Sequence, residues 1–199
     1  MVDEDMLEEV REVVWTEVAR GEADFDEVVE AAADYLAGQD DEETLRAVAH
    51  EAAMAGFAAH AEAQRSWGDG PLDTDRLDAA FRELDAAGIV ARADFTCCQT
   101  CGFAEIGGEV PEGESPRGFT FCHRQDVESA LHGGGLYLAF GSFGEGVAPE
   151  EIAAEVVRVL VRHGFAPEWN GEVGRRVFLP MTWCVRRNNH PGREEPADA

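Results

Sequence analysis

A change in hydrophobic periodicity near residue 70 is the feature that most constrains the fold of this 199-residue chain. Before the glycine- and proline-containing stretch 68–71, apolar residues recur at helical spacing, as Val10, Val14 and Val18 do. After that stretch, short apolar or alternating runs of strand length lie between helical patterns. This order favours an α+β domain, or a three-layer α/β domain, with a helical segment in front of it.

The same patterns divide the chain into three parts. Residues 1–68 are predicted to form an acidic helical segment, in which Asp24 and Asp40 are candidate caps of the second and third helices. Residues 72–187 are predicted to form the core domain, which contains all five cysteines. The tail 188–199 has two prolines and mixed charge, which predicts that it is disordered.

About five strands are expected in the core domain, arranged as a mixed sheet with flanking helices. Each candidate strand is an apolar or alternating run bounded by glycine, proline or polar residues. The candidates are residues 89–95, 118–123, 136–140, 166–169 and 176–183. The last two lie on either side of Asn170-Gly171 and therefore predict a closing hairpin.

The basic residues exclude several classes of enzyme. All 16 of them are arginine, and the chain contains no lysine. A Walker A motif, a protein-kinase ATP site and a Schiff base to pyridoxal phosphate each require a lysine amine. Those three classes are therefore excluded whatever the fold.

The net charge of −25 restricts the partners of the chain. The excess is concentrated in residues 1–70, which hold 20 acidic and 4 basic residues. A field of this sign repels phosphate backbones, so nucleic acid is not an expected partner, whereas a basic protein is. Solubility is the simpler explanation of the same charge.

Neither a membrane span nor a secretory signal is expected from the sequence. No run approaches the roughly 18 apolar residues of a membrane-spanning helix, and the chain begins with acidic rather than basic residues. We therefore expect a cytoplasmic protein. In that compartment its five cysteines would be reduced, and their odd number argues against a disulfide framework.

Three of the five cysteines lie within five positions, directly after the first predicted strand. They are Cys97, Cys98 and Cys101. Cys98 and Cys101 form a CxxC pair followed by glycine, a spacing at which a tight turn directs both sulfur atoms toward one ion. The cluster is therefore the place where the chemistry of this chain is expected.

A tetrahedral zinc site would need two ligands besides this CxxC pair. Candidates are Cys122 and His123, at the end of the second predicted strand, and Cys184, at the end of the last one. The predicted metal ligands are Cys98, Cys101, His123 and Cys184. The chain has no second CxxC and no HxxxH to complete a more specific motif.

Two other interpretations of the cysteines stay open. A CxxC pair at a strand-to-helix junction lies where the helix dipole lowers the pKa of a thiol, which suits a redox couple. Free cysteines are also among the most often buried residues, so all three could simply pack as small hydrophobic side chains.

His123 and Asp126 are spaced so that both could face one cavity. A histidine beside a carboxylate can act as a general base or as a metal ligand with an orienting partner. In the simpler interpretation, Asp126 caps the following helix and His123 bonds to the backbone. The candidate catalytic residues of an enzyme are therefore Cys98, Cys101, His123 and Asp126.

The residues after the first predicted strand resemble the hallmark of an uncharacterised bacterial family. The stretch from Asp94 to Gly102 reads DFTCCQTCG, and residues 118–126, 134–139 and 169–171 fit the same family. The family is known from actinobacteria, by a domain-of-unknown-function label.

The resemblance covers about residues 77–185 and leaves the acidic helical segment outside it. It implies a cytoplasmic bacterial protein and implies no activity. Relatives are expected to carry an aromatic residue at the position of Cys122, which favours His123 over Cys122 as a ligand.

Two functional hypotheses follow. In the first, the protein is an acidic binding module that recognises a basic partner, and its cysteine cluster is structural, with or without zinc. In the second, it is a thiol- or metal-dependent enzyme in which Cys98, Cys101, His123 and Asp126 converge on one cavity. Any active centre requires that the bend after the first strand lies close to the imidazole of His123.

Overall fold

The computed structural model describes residues 4–38, 40–144 and 146–188. The described chain packs as two compact units, one made of residues up to 70 together with 184–188, the other of residues 71–183. The predicted boundaries of the domains stay a prediction, since compactness alone does not show independent folding. Apart from its first residue, the tail predicted to be disordered lies outside the described residues.

The first unit consists of three helices around one apolar core. They are α1 (Glu4–Arg20), α2 (Phe25–Tyr35) and α3 (Glu42–Gln64). Each helix buries one stripe of apolar residues at a spacing of three or four, as the periodicity predicts. The core residues are Val10, Val14, Val18, Val28, Val29, Ala32, Leu36, Leu45, Ala49, Ala53 and Phe57.

Carboxylates cap the second and third helices. Asp24 caps α2 as predicted, because its Oδ1 accepts the backbone N–H of Glu27 at 2.9 Å. The cap of α3 is Asp41, whose Oδ1 accepts the N–H of Thr44 at 3.0 Å. The prediction of Asp40 was therefore wrong by one residue, since the helix begins at Glu42 and the extended residue before it is Asp41.

The last described residues pack into this helical unit through the buried side chain of Arg187. The guanidinium donates hydrogen bonds to the carbonyl oxygens of Val18, at 3.1 Å, and of Ala23. Its Cζ also lies 4.8 Å from the centre of the Phe57 ring. Gln64 bonds to the backbone N–H and carbonyl of Arg187 at 2.8 and 3.1 Å. These contacts join the C-terminal segment to the helices.

We expect Arg187→Ala to lower the free energy of unfolding by about 2–3 kcal/mol, because one buried and one partly buried carbonyl group lose their charged donor. The measurement is urea unfolding of the full chain, followed by circular dichroism. Arg11→Ala is the matched control, since the Arg11 side chain is 61% exposed and should change the stability by less than about 0.5 kcal/mol. Equal losses in the two variants would contradict this role of Arg187.

The second unit contains four helices and four strands in its described residues. They are α4 (Asp73–Ala86), β1 (Ile89–Arg92), α5 (Gln99–Glu105), β2 (Gly118–Phe121), α6 (Arg124–Leu131), β3 (Leu136–Ser142), α7 (Pro149–Arg162) and β4 (Val177–Leu179). A 3₁₀ turn, Ile106–Glu109, directly follows α5. The predicted α+β class with a mixed sheet and helices in front of it is confirmed.

The sheet has four strands in the described residues, and the prediction of about five was wrong. Their order is β1-β2-β3-β4; β1 and β2 are parallel, and the other neighbours are antiparallel. The predicted strand 166–169 contributes only a bridge between Glu168 and Phe178. Pro167 and Pro180 have no backbone N–H to donate, which explains why this hairpin forms only a short ladder.

The two faces of the sheet are covered differently. On one face, α4 and α7 pack on the strands, and a Cβ at Gly118 would lie 2.7 Å from Ile152 of α7. The other face carries a cluster of buried apolar residues that includes Ile106 of the 3₁₀ turn. The cluster is Val90, Ile106, Phe119, Phe121 and Ala139, with Phe95, Val110 and Phe143 against it. The cysteine bend therefore lies next to an aromatic layer.

No helix in the part of the chain described here is both long and apolar enough to cross a membrane. This agrees with the sequence, in which no such run was found. The expected cytoplasmic location stays a prediction.

Candidate metal centre

The parallel pairing of β1 with β2 continues beyond the two strands and positions the cysteine bend. Cys122 donates its backbone N–H to the carbonyl of Arg92 at 3.1 Å, and Phe95 donates to Cys122 at 2.9 Å. Arg124 then donates to the carbonyl of Thr96 at 3.1 Å. The main chain that enters the cysteine cluster thus runs beside residues 122–124.

Two residues in this bend adopt the left-handed backbone region. The φ angles are 48° at Asp94 and 59° at Thr96. This conformation is unusual for a β-branched residue such as threonine. The Thr96 hydroxyl donates to the carbonyl of Cys98 at 3.2 Å, which helps to hold the bend. The chain therefore reverses sharply between β1 and α5.

Helix α5 is held against the sheet by a close approach of its backbone. A Cβ at Gly102 would lie 2.5 Å from Cζ of Phe121, so only glycine lets the helix come this near. The rings of Phe95 and Phe103 pack edge-on against Phe121, with centroids 5.9 and 5.4 Å away. The first helical bond runs from Gly102 N–H to the carbonyl of Cys98 at 3.0 Å.

The bend and the start of α5 bring three sulfur atoms together. The Sγ atoms of Cys97, Cys98 and Cys101 all lie within 4.8 Å of one another. The Sγ atoms of Cys97 and Cys101 are 3.5 Å apart. Cys97 is exposed, and the other two are partly exposed. We call these three residues the thiol cluster.

The thiols of the cluster differ in acidity. The pKa of Cys98 is lowered, first by the backbone N–H of Cys101 and then by the neighbouring thiols of Cys101 and Cys97. Cys97 and Cys98 raise the pKa of Cys101 to about 11, because their side chains stabilise its protonated form and their charge opposes a second thiolate. Cys98 therefore ionises before Cys101.

His123 and Asp126 lie together, but their partner is an arginine. His123 immediately precedes α6, and Asp126 accepts its backbone N–H at 3.2 Å. Nη1 of Arg176 lies 2.8 and 2.9 Å from the two carboxylate oxygens of Asp126 and 3.2 Å from Nε2 of His123. Nε2 of His123 is also 3.0 Å from Oδ2 of Asp126. Asp126 therefore bonds to the backbone at the start of α6, close to the predicted capping role, and it also binds Arg176.

The imidazole of His123 is 5% exposed. Burial lowers its pKa, the charge of Asp126 opposes that effect, and Arg176 adds to it. Its Nδ1 is buried and has no hydrogen-bond partner in the described residues. The ring is therefore mainly neutral at neutral pH and belongs to a buried ionic network.

The structure brings some of the predicted ligands together and separates others. Cys98 and Cys101 share the cluster, whereas His123 is not among the residues whose ligand atoms form it. Cys184 belongs to the segment that packs with the helical unit. Cys122, the other candidate, is completely buried, and burial raises its pKa.

Two residues were left out of the predicted ligands and catalytic residues. Cys97 was recognised as part of the cysteine cluster but was not assigned as a ligand, and the bend before α5 brings its sulfur atom close to that of Cys101. Its place in the cluster was a usable signal. The sequence held no signal for Arg176, because it approaches Asp126 across 50 residues of chain.

In the metal-free protein at about pH 7, we expect iodoacetamide to modify Cys98 faster than Cys101, because the thiolate is the reacting form. The Cys98 rate should level off at a lower pH, whereas the Cys101 rate should keep rising toward its pKa of about 11. Mass-spectrometric peptide mapping of timed samples gives both rates. Buried Cys122 is the internal control and should react only after unfolding in urea.

If iodoacetamide modified Cys101 faster than Cys98 at about pH 7, the result would contradict this order of acidity. Modification of Cys122 in the folded chain would contradict the packing of the bend.

The fold and the site together define an α+β protein that carries an exposed thiol cluster beside a mixed sheet. The family model described as a domain of unknown function, DUF6891, matches residues 3–187, and the chain belongs to this family. The match includes the acidic helices, which the resemblance in sequence had left out. No curated protein and no solved structure matches the chain.

Proposed function

We propose that this protein binds a thiophilic metal ion, zinc above all, through Cys97, Cys98 and Cys101. The observation that carries the proposal is the convergence of three sulfur atoms within 4.8 Å. Cysteine sulfur is a soft donor that favours zinc or copper(I) over magnesium or calcium.

The spacing of the sulfur atoms suits one ion. Zinc–sulfur bonds of about 2.3 Å in a tetrahedron place neighbouring sulfur atoms about 3.8 Å apart. In the cluster, the sulfur atoms of Cys97 and Cys101 are 3.5 Å apart, and no separation exceeds 4.8 Å. Small rotations of the cysteine side chains would therefore be enough to close the site. A bound ion would also tie Cys97, in the bend, to the first turn of α5.

The alternative hypothesis, an enzyme using Cys98, Cys101, His123 and Asp126, has less support. A general base must reach its proton, and the His123 ring is 5% exposed. Its carboxylate neighbour already binds Arg176 through both oxygens. Binding therefore accounts better for the site than catalysis by these four residues does.

Purified chain should contain about one zinc ion, which protects the cluster thiols until a chelator removes it. Cys97→Ser, Cys98→Ser and Cys101→Ser should each weaken zinc affinity by at least about tenfold, because each removes a donor. Affinity should fall as pH falls, since protons compete for the thiolates. Competition with a chromophoric chelator measures the affinities, and mass spectrometry measures the metal content.

Cys184→Ser is the matched control and should leave the zinc affinity unchanged. Zinc binding that survives all three cluster substitutions would refute the proposed site. So would a metal-free protein that takes up no zinc while its cluster thiols react freely.

A second candidate function is the recognition of a basic partner, and a groove between α2 and α3 favours it. Two adjoining concavities of about 280 and 390 Å³ share Arg46 as a lining residue. Small and apolar side chains line them at Val29, Ala33, Leu45 and Ala47. Six carboxylates also line them: Asp26, Glu30, Asp34, Asp40, Glu42 and Glu43. A basic amphipathic segment complements such a surface in both charge and polarity.

A labelled peptide of leucine and arginine, written as an amphipathic helix, should bind the chain, whereas its leucine–glutamate counterpart should not. The double substitution Glu30→Arg and Glu43→Arg should weaken binding by about tenfold, because both charges flank the groove. Fluorescence anisotropy measures the affinity. The control pair is Glu105→Arg and Glu112→Arg, two exposed carboxylates of the other unit, which changes the net charge equally.

Equal weakening by the two pairs would show that the peptide responds only to net charge. That outcome would refute the groove as the binding surface.

A further inference from the structure

We propose that the thiol cluster binds its metal ion with one coordination position open, and that a small thiol from solution fills that position. The inference deepens the proposed metal-binding function and rests on it. Its basis is the number of donors, the engagement of their neighbours and the exposure of the sulfur atoms.

The number of donors is three. Within residues 4–38, 40–144 and 146–188, the group of mutually close ligand atoms contains only the sulfur atoms of Cys97, Cys98 and Cys101. Zinc in proteins is almost always four-coordinate, and sites with three protein ligands keep the fourth position for water or another molecule. A three-sulfur site is therefore coordinatively open.

Two chemically suitable side chains beside the bend, those of His123 and Cys122, are engaged elsewhere. The backbone of His123 lies beside the bend, since the next residue, Arg124, donates its backbone N–H to the carbonyl of Thr96. The His123 imidazole, however, is packed against Asp126 and Arg176. Moving it to the cluster would leave a buried carboxylate and guanidinium without one neighbour, at a cost in stability. Cys122 precedes it and is completely buried.

The exposure of the cluster gives the open position access to solvent. Cys97 is exposed, and Cys98 and Cys101 are each partly exposed. The part of α5 at Gly102 is covered, because Gly102 lies against the ring of Phe121. A molecule from solution can thus approach the ion from the side of the sulfur atoms that faces water.

The donor set selects the kind of ligand. Three thiolates and a divalent cation carry a net charge of about −1, which makes the ion a weak site for hard anions such as phosphate or carboxylate. The net protein charge of −25 disfavours those anions further. A neutral thiol approaches without this repulsion and offers the soft donor that the ion prefers.

The binding step is a ligand exchange. The S–H bond of the thiol breaks, its proton passes to the buffer, and the sulfur electron pair forms a bond to the metal. A water molecule leaves the ion at the same time. No electron is transferred, so neither an oxidant nor a reductant is needed.

Cobalt(II) is the probe for this inference, because its absorption reports the number of sulfur ligands. The full chain is loaded with one cobalt(II) per chain and titrated with 2-mercaptoethanol, with ethylene glycol as the sulfur-free control. The sulfur-to-cobalt charge-transfer absorption should rise by about one third, since the number of Co–S bonds grows from three to four. Ethylene glycol should leave the spectrum unchanged.

The variant Cys184→Ser removes the remaining cysteine that the sequence offered as a ligand. It should give the same spectrum and the same response to thiol as the unsubstituted chain. If the unsubstituted chain ignores the thiol but the variant responds, Cys184 is the fourth ligand and the inference fails.

A spectrum that shows four donors and ignores the thiol in both proteins would overturn the inference too. Failure of the proposed function looks different, because cobalt and zinc would then bind no better to the unsubstituted chain than to Cys98→Ser.

Discussion

The packing of Gly102 against the ring of Phe121 is the contact on which the thiol cluster depends. It sets the distance between α5 and the sheet, and no residue with a Cβ fits at this point. Helix α5 contains Cys101, and Cys98 is the residue immediately before the helix. The parallel ladder that continues to Arg124 holds the entering chain and thus Cys97. The convergence of three sulfur atoms follows from these two constraints acting together.

The unit that carries the cluster separates its reactive groups from its ionic ones. The thiols lie at the surface, where an ion or a small molecule can reach them. The network of His123, Asp126 and Arg176 is largely withdrawn from water and joins the start of α6 to the residue before β4. Such buried pairs are costly to break when one partner is removed. We therefore regard this network as a structural link rather than as part of the proposed metal site.

Helices were easier to predict than strands in this chain, for a physical reason. Helical spacing, the cap at Asp24 and the terminal glycines are local signals, so the positions of the helices follow from short stretches of sequence. Strands depend on a partner. The run 166–169 looks like a strand by composition, but Pro167 and the turn beyond it leave one bridge to Phe178.

The candidate site was likewise predictable where it depends on local sequence and unpredictable where it depends on distant residues. The CxxC pair of Cys98 and Cys101 is visible in the sequence, and a tight turn brings both sulfur atoms to one place. The third donor, Cys97, required the geometry of the bend at Asp94 and Thr96, where two left-handed residues reverse the chain. His123 lies near in the backbone register, yet its ring is directed to a buried network by Arg176, far away in sequence.

Taken alone, the sequence predicted an α+β or three-layer α/β domain, and it determined the concentration of charge in residues 1–70 and the absence of lysine. These properties follow from composition and short-range periodicity, which do not depend on distant residues. Tertiary structure alone decided which cysteines meet, which side chain Asp126 binds and which unit receives Arg187. Those outcomes depend on contacts between residues far apart in the chain, where side-chain packing rather than local preference decides the partner.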